Sequence, residues 1–394
     1  MRDRAERPLG RSEGRPNPRG AEMTLAERVA AAVDAAPIID LHTHLFAPQF
    51  PALNLWGVDE LLTYHYLVAE TLRAEPKVTP EAFFALDKKA QADLVWASLF
   101  VRRSPLSEAT AGVATVLAAF GLDPAAPDLR EARAFFAERR VEDHLEDVLR
   151  LSGVSALAMT NDPTDPVERA VWDSGATPDP RFYTALRLDR LILTEDLAPE
   201  LERWIARMRP RYLAISVNEV SAPPRAVLDA CRDHGLPFAM MIGVRRAVNP
   251  RLGVAGDGVS TVDLTPLERL AGENPDVRFL VTTLARENTH PLCVVARKFA
   301  NVLPFGCWWF MNNPSLIEET TMMRLEMLGP TFVPQHSDAR VLDQLIYKWR
   351  HARRSIASAL TRRYGAMPVP PTDAQIERDA RALLGGIAKE WLGS

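Results

Sequence analysis

Eight short apolar runs punctuate this chain, and the stretches between them have the periodicity of helices. The runs are I-I-D-L-H at 38–42, S-A-L-A-M-T at 155–160, F-Y-T-A-L-R at 182–187, R-Y-L-A-I-S-V at 211–217, P-F-A-M-M-I at 237–242, V-R-F-L-V-T-T at 277–283, V-L-P-F-G-C-W at 302–308 and T-F-V-P-Q at 331–335. Near-continuous apolar strands separated by helices suit a parallel sheet covered by helices. Eight such units predict an α/β fold of the TIM-like (β/α)8 barrel type. The helical, basic stretch Leu342–Arg363 would supply closing helices.

The spacing is uneven in one place. Between the first and second runs lie about a hundred residues with apolar positions at i, i+3 and i+4, in Val58–Arg73, Pro80–Arg102, Ser107–Phe120 and Leu129–Leu151. That pattern predicts an all-helical insertion after strand one, at about 46–152. Residues 1–22, rich in Arg, Pro, Gly and Glu, are expected to be disordered. Residues 23–394 then form one barrel domain. Thr24 and Glu27 make a capping-box pattern just after Met23, which reads as a possible true start.

A net charge of −4 over 394 residues argues against a nucleic-acid binder. No apolar run approaches the roughly 18 residues of a membrane span. Three scattered cysteines, Cys231, Cys293 and Cys307, argue against a disulfide framework and for a reducing compartment, taken as the cytoplasm. The expected partner is a small molecule, with neither nucleic acid nor membrane, and a homo-oligomer is expected.

In a barrel, catalytic groups sit at the C-terminal ends of the strands. Strand one ends in His42 and His44, which share a face because strand side chains repeat every two residues. Strand two ends in Thr160, Asn161 and Asp162, and strand three in Arg187 and Asp189. Strands four and five end in Asn218, Glu219 and Met241. Strand six leads to Arg286, Glu287, Asn288 and His290. Strand seven ends in Trp308, Trp309 and Asn312, and strand eight in His336, Asp338 and Arg340. Two imidazoles and a carboxylate leave open positions on a divalent metal, as a catalytic site requires. His42, His44 and Asp338 are therefore the candidate ligands. Arg340 and Arg187 have the fork geometry for a substrate carboxylate, with Asp189 fixing Arg187. Trp308 and Trp309 could wall the pocket. Each group also has a plainer reading: a core histidine, a helix cap at Asp338, a surface arginine, an Arg187–Asp189 salt bridge, packed tryptophans.

Taken in order, these motifs resemble the uronate (glucuronate) isomerases of the amidohydrolase superfamily. I-I-D-L-H-T-H-L resembles that family's D-x-H-x-H-L, and His65-Tyr66 its His-Tyr pair. M-T-N-D-P at 159–163 resembles its T-T-D-D-P, and A-L-R-L-D-R at 185–190 its R-P-D segment. F-G-C-W-W-F-M-N at 305–312 resembles its G-x-W-W-F-N, and H-S-D-A-R at 336–340 its T-D-S-R. The resemblance implies one metal, zinc first with manganese, iron or cobalt as alternatives, held by His42, His44 and Asp338. It implies catalytic roles for Tyr66, Arg340 and Asp338, and substrate contacts from His65, Arg187, Asp189, Trp308, Trp309 and Arg340. It also implies aldose–ketose isomerisation of a uronic acid or related hydroxy acid. The chain departs from the pattern in two places. S-V-N-E-V stands where the family has D-H-G, and M-M-I-G, with Met241, where it has L-H-I-G. A thioether neither donates a proton nor acts as a base. A metal-dependent hydrolase or lyase for a less polar substrate therefore stays open as the alternative, as does a non-catalytic ligand binder. His290 and His336 are candidate replacements for the lost histidines.

Overall fold

A computed structural model describes residues 23–393, so the expectation for 1–22 lies outside the described residues. Seven parallel strands follow one another around a curled sheet in sequence order. They are β1 (Ile38–Thr43), β2 (Val154–Asn161), β3 (Phe182–Arg187), β4 (Tyr212–Val217), β5 (Phe238–Ile242), β6 (Phe279–Thr283) and β7 (Val302–Pro304). Alternate side chains sort into two cores, as the two-residue period of a strand requires. Leu157, Leu186, Leu213, Phe238 and Phe279 pack outward against the helices. Leu41, Ala158, Ala185, Ala239, Leu280 and Leu303 fill the interior. The alanines there leave room for the buried Tyr212, whose hydroxyl donates to the Leu41 carbonyl. The architecture is a (β/α)8 barrel.

The eighth run does not form a regular strand. A single parallel bridge, Phe305 to Val333, is what remains of it. Val333 donates to Pro304 O at 3.1 Å and Gly306 to Val333 O at 2.8 Å. Pro334 then has no N–H to offer, and Asp338 turns the backbone into the left-handed region at φ 51°. The seam to β1 is closed by other means. Asp338 N–H donates to His42 O at 3.0 Å and His44 N–H to Ala339 O at 2.7 Å. Ser337 N–H donates to the buried Asp40 carboxylate at 3.0 Å. The seventh run is also shortened, because Gly306 turns the chain at φ 68°. A Cβ on Gly306 would stand 1.8 Å from the His336 ring, so glycine alone fits there.

From Pro51 to Ser152 every regular element is helical. The helix expected over Val58–Arg73 is broken into Val58–Leu62 and His65–Ala74. The Thr63 hydroxyl bonds back to Asp59 O at 2.7 Å, and Tyr64 is extended at φ −62°, ψ 138°. Such back-bonding competes with the helix. The break puts Tyr64, His65 and Tyr66 at the start of the second helix. The long C-terminal helix spans Gln344–Gly365, and no helix among the described residues is long and apolar enough to cross a membrane.

Candidate active site

His42 and His44 leave β1 with their ring centres 5.2 Å apart. Their Nε2 atoms stand 3.5 and 3.3 Å from Asp338 Oδ1. The ligand atoms of all three residues lie within 4.8 Å of one another. Asp40, fully buried, sets this register. Its carboxylate accepts from Ser337 N–H and from Trp349 Nε1 at 2.8 Å, tying β1 to the segment that carries Asp338.

The hydrogen bonds around His44 fix its tautomer. Thr160 Oγ1 donates to Thr43 O at 2.7 Å, so it is left to accept from His44 Nδ1–H at 3.1 Å. That leaves the Nε2 lone pair facing Asp338. Burial, reinforced by the Arg340 guanidinium, holds the His44 imidazole well below its usual range and therefore neutral. Asp338 Oδ1 is buried with no hydrogen-bond partner. The Nε2 atoms of two histidines and an aspartate oxygen thus converge on one point, a donor set that fits one divalent cation.

These groups open into a cavity of about 350 Å³. Arg187, Arg190, Arg246 and Arg340 line it, against the carboxylates of Asp189 and Asp338. Trp308 and Trp309 form one wall; Ala214, Ile215, Ser216 and Met241 form another. Arg187 Nε lies 3.3 Å from Asp189 Oδ2, and Asp189 in turn accepts from Ser216 N–H at 3.4 Å. Arg246 pairs with Asp257 at 2.6 Å. Arg340 has no carboxylate partner among the described residues; its guanidinium lies 3.5 Å from His44 Nε2.

The structure therefore brings His42, His44, Asp338, Arg340, Arg187, Asp189, Trp308 and Trp309 around one cavity. His65 and Tyr66 do not line it. His65 sits edge-on to Trp309, with ring centres 5.7 Å apart, and Tyr66 stacks at 6.5 Å on Phe310. The Tyr66 hydroxyl is buried without a hydrogen-bond partner. The resemblance implies a Tyr66 hydroxyl brought near the metal, with its phenol lowered by that cation, and this is not what is found. Lys348 Nζ lies 5.8 Å from the Tyr66 ring centre, yet burial, with Tyr64 and Asp338, holds the Tyr66 phenol well above the tyrosine range. Burial likewise drops His65 to about 3. Neither candidate replacement histidine lines the cavity: His290 is exposed, and His336 is fully buried against His42 and Phe305. Asn312 braces the seam instead, donating to Ser337 O at 2.8 Å. Arg190 and Arg246 are cavity residues that the sequence reading missed. Arg190 closes the A-L-R-L-D-R run, and Arg246 lies four residues past Ile242, in the loop after β5.

The structure is similar to the uronate isomerase of Bacillus halodurans C-125, with a TM-score of 0.90 and 46% sequence identity. The match covers 94% of this chain and 96% of that one. The chain belongs to the uronate isomerase family. The uronate isomerase of Thermotoga maritima (TM-score 0.73, 15% identity, 93% of this chain and 97% of that one) shares the fold. So does the glucuronate isomerase of Caulobacter crescentus (0.69, 17%, 94% of each chain). No family model matches the chain, and no curated protein matches it. Against the uronate isomerase pattern, Met241 does stand in the cavity wall, 3.9 Å from Ser216 Oγ, where a histidine is expected.

Proposed function

We propose that this protein is a uronate isomerase, interconverting an aldose hexuronate and its ketose by moving a proton between C2 and C1. The observation that carries the reading is what the cavity holds together: a cation-binding His-His-Asp group and, beside it, the Arg340 guanidinium, which has no carboxylate partner among the described residues. An unpaired guanidinium in a walled cavity, next to a site for a cation, attracts an acid. His42, His44 and Asp338 would hold a divalent metal, zinc first, which when bound would supply Lewis-acid polarisation of the substrate oxygens. Arg187, held by Asp189, binds the substrate carboxylate, while Arg190 and Arg246 line the same cavity paired with Asp162 and Asp257. Trp308 and Trp309 shield the sugar from water. Arg340 orients the reacting end over His44, and Tyr66, which stands outside the cavity lining beside His65 and Phe310, passes the proton once the insertion that carries it moves toward the substrate. Three free, buried cysteines support a cytoplasmic enzyme.

The test is hydrogen exchange at C2. The metal-loaded enzyme in deuterated water, given glucuronate or galacturonate, is expected to incorporate deuterium at C2 by NMR. No exchange with any hexuronate, together with turnover of lactones or amides, would establish the hydrolase alternative instead. A second expectation concerns Arg340→Lys. Lysine keeps the charge but loses the two parallel bonds of a guanidinium. Loss of a charge-assisted contact should cost roughly 1.5–3 kcal/mol, mainly as a higher KM. Unchanged catalytic efficiency in that variant would remove Arg340 from the site.

A further inference from the structure

Residues 336–343 belong to no helix or strand, yet they carry Asp338 and Arg340. Backbone N–H groups buried in such a stretch must find acceptors. Those of Arg340 and Val341 find the same one. Gln344 Oε1 accepts from Arg340 N at 2.8 Å and from Val341 N at 3.1 Å. Gln344 is 1% exposed and opens the long helix Gln344–Gly365, so its side chain reaches back from a rigid element onto the turn. The neighbouring Asp343 anchors the same junction to the helical insertion. Its carboxylate accepts from Gly57 N–H at 2.8 Å and meets His144 Nε2 at 2.7 Å. The Arg340 side chain projects from this braced turn to within 3.5 Å of His44.

We infer that Gln344 is a positioning residue, whose carbonyl fixes the 340–341 turn and so aims the Arg340 guanidinium into the cavity. The inference rests on the reading above that Arg340 serves turnover. Misplacing a binding group by about 1 Å can cost on the order of 100-fold.

The test compares Gln344→Leu, which removes the acceptor, with Gln344→Glu, which keeps an oxygen at the same reach. Gln344→Leu is expected to lower kcat/KM on the hexuronate by roughly 10- to 100-fold, and Gln344→Glu to recover most of it. Because Gln344 works through Arg340, adding Gln344→Leu to Arg340→Lys should cost little beyond Arg340→Lys alone. Crystal structures should show the guanidinium displaced from His44 in Gln344→Leu and retained in Gln344→Glu. If Gln344→Leu fails to fold, Gln344→Asn, one methylene too short to reach, takes its place with the same expectation. Wild-type efficiency with Arg340 undisturbed, or losses that add fully in the double variant, would overturn the inference. A wild-type enzyme inert towards every hexuronate would sink the isomerase reading alone, since the crystallographic comparison still decides the role of Gln344.

Discussion

Changing His42 and His44 together to alanine should strip the protein of metal and reduce turnover to background. The wild-type chain should carry about one divalent ion, because two imidazoles and one carboxylate complete a single site with open positions. Among the described residues, His42, His44 and Asp338 are the one such grouping. The effect should be large because both histidines are lost where their Nε2 atoms converge on Asp338 Oδ1. What remains is a buried carboxylate with no partner, itself costly. Elemental analysis of wild type and variant decides the matter. Two ions per wild-type chain, or one retained by the double variant, would refute the assignment.

Tyr66→Phe should lower turnover by roughly 10²–10⁴-fold, the span of a general acid or base, with metal content unchanged. The motivation is a buried hydroxyl with no hydrogen-bond partner, at the helix start created by the Thr63–Tyr64 break. Phenylalanine keeps the ring against His65 and Phe310, so packing is preserved. Since burial raises this phenol, Tyr66 would be protonated in the free enzyme at neutral pH and would act first as a proton donor. Steady-state turnover measured beside metal analysis checks this. A phenylalanine variant with wild-type turnover would leave Tyr66 as packing alone.

Much of this arrangement is legible in the sequence because it follows from short-range rules. His42 and His44 share a face since strands repeat every two residues, and Asp338 lies where a barrel strand should end. Arg187 and Asp189 meet for a similar local reason. What was hidden depends on contacts across the fold. Nothing in T-F-V-P-Q reveals that contact with β1 would pass to the segment after the run, where Ser337 N–H meets the Asp40 side chain 297 residues away. The helix break before His65 comes from a threonine back-bond that helical periodicity does not register. Arg246 enters the cavity from an irregular loop, where no period points inward. The direction of the Tyr66 shift followed burial, which sequence alone does not measure.

The seam between β1 and the 331–339 segment also bears on how the protein is made. Its partners are separated by nearly the whole chain, so their pairing carries a high loop-closure entropy and a long contact order. A chain emerging from the ribosome presents His42 and His44 early, but Asp338 only near the end of synthesis. Until that last stretch docks on Asp40, the two histidines lack their carboxylate. Metal capture is thereby tied to completion of the barrel, and truncated or half-folded chains should bind the ion poorly. Metal retention would then report on the fraction of molecules that have closed the ring.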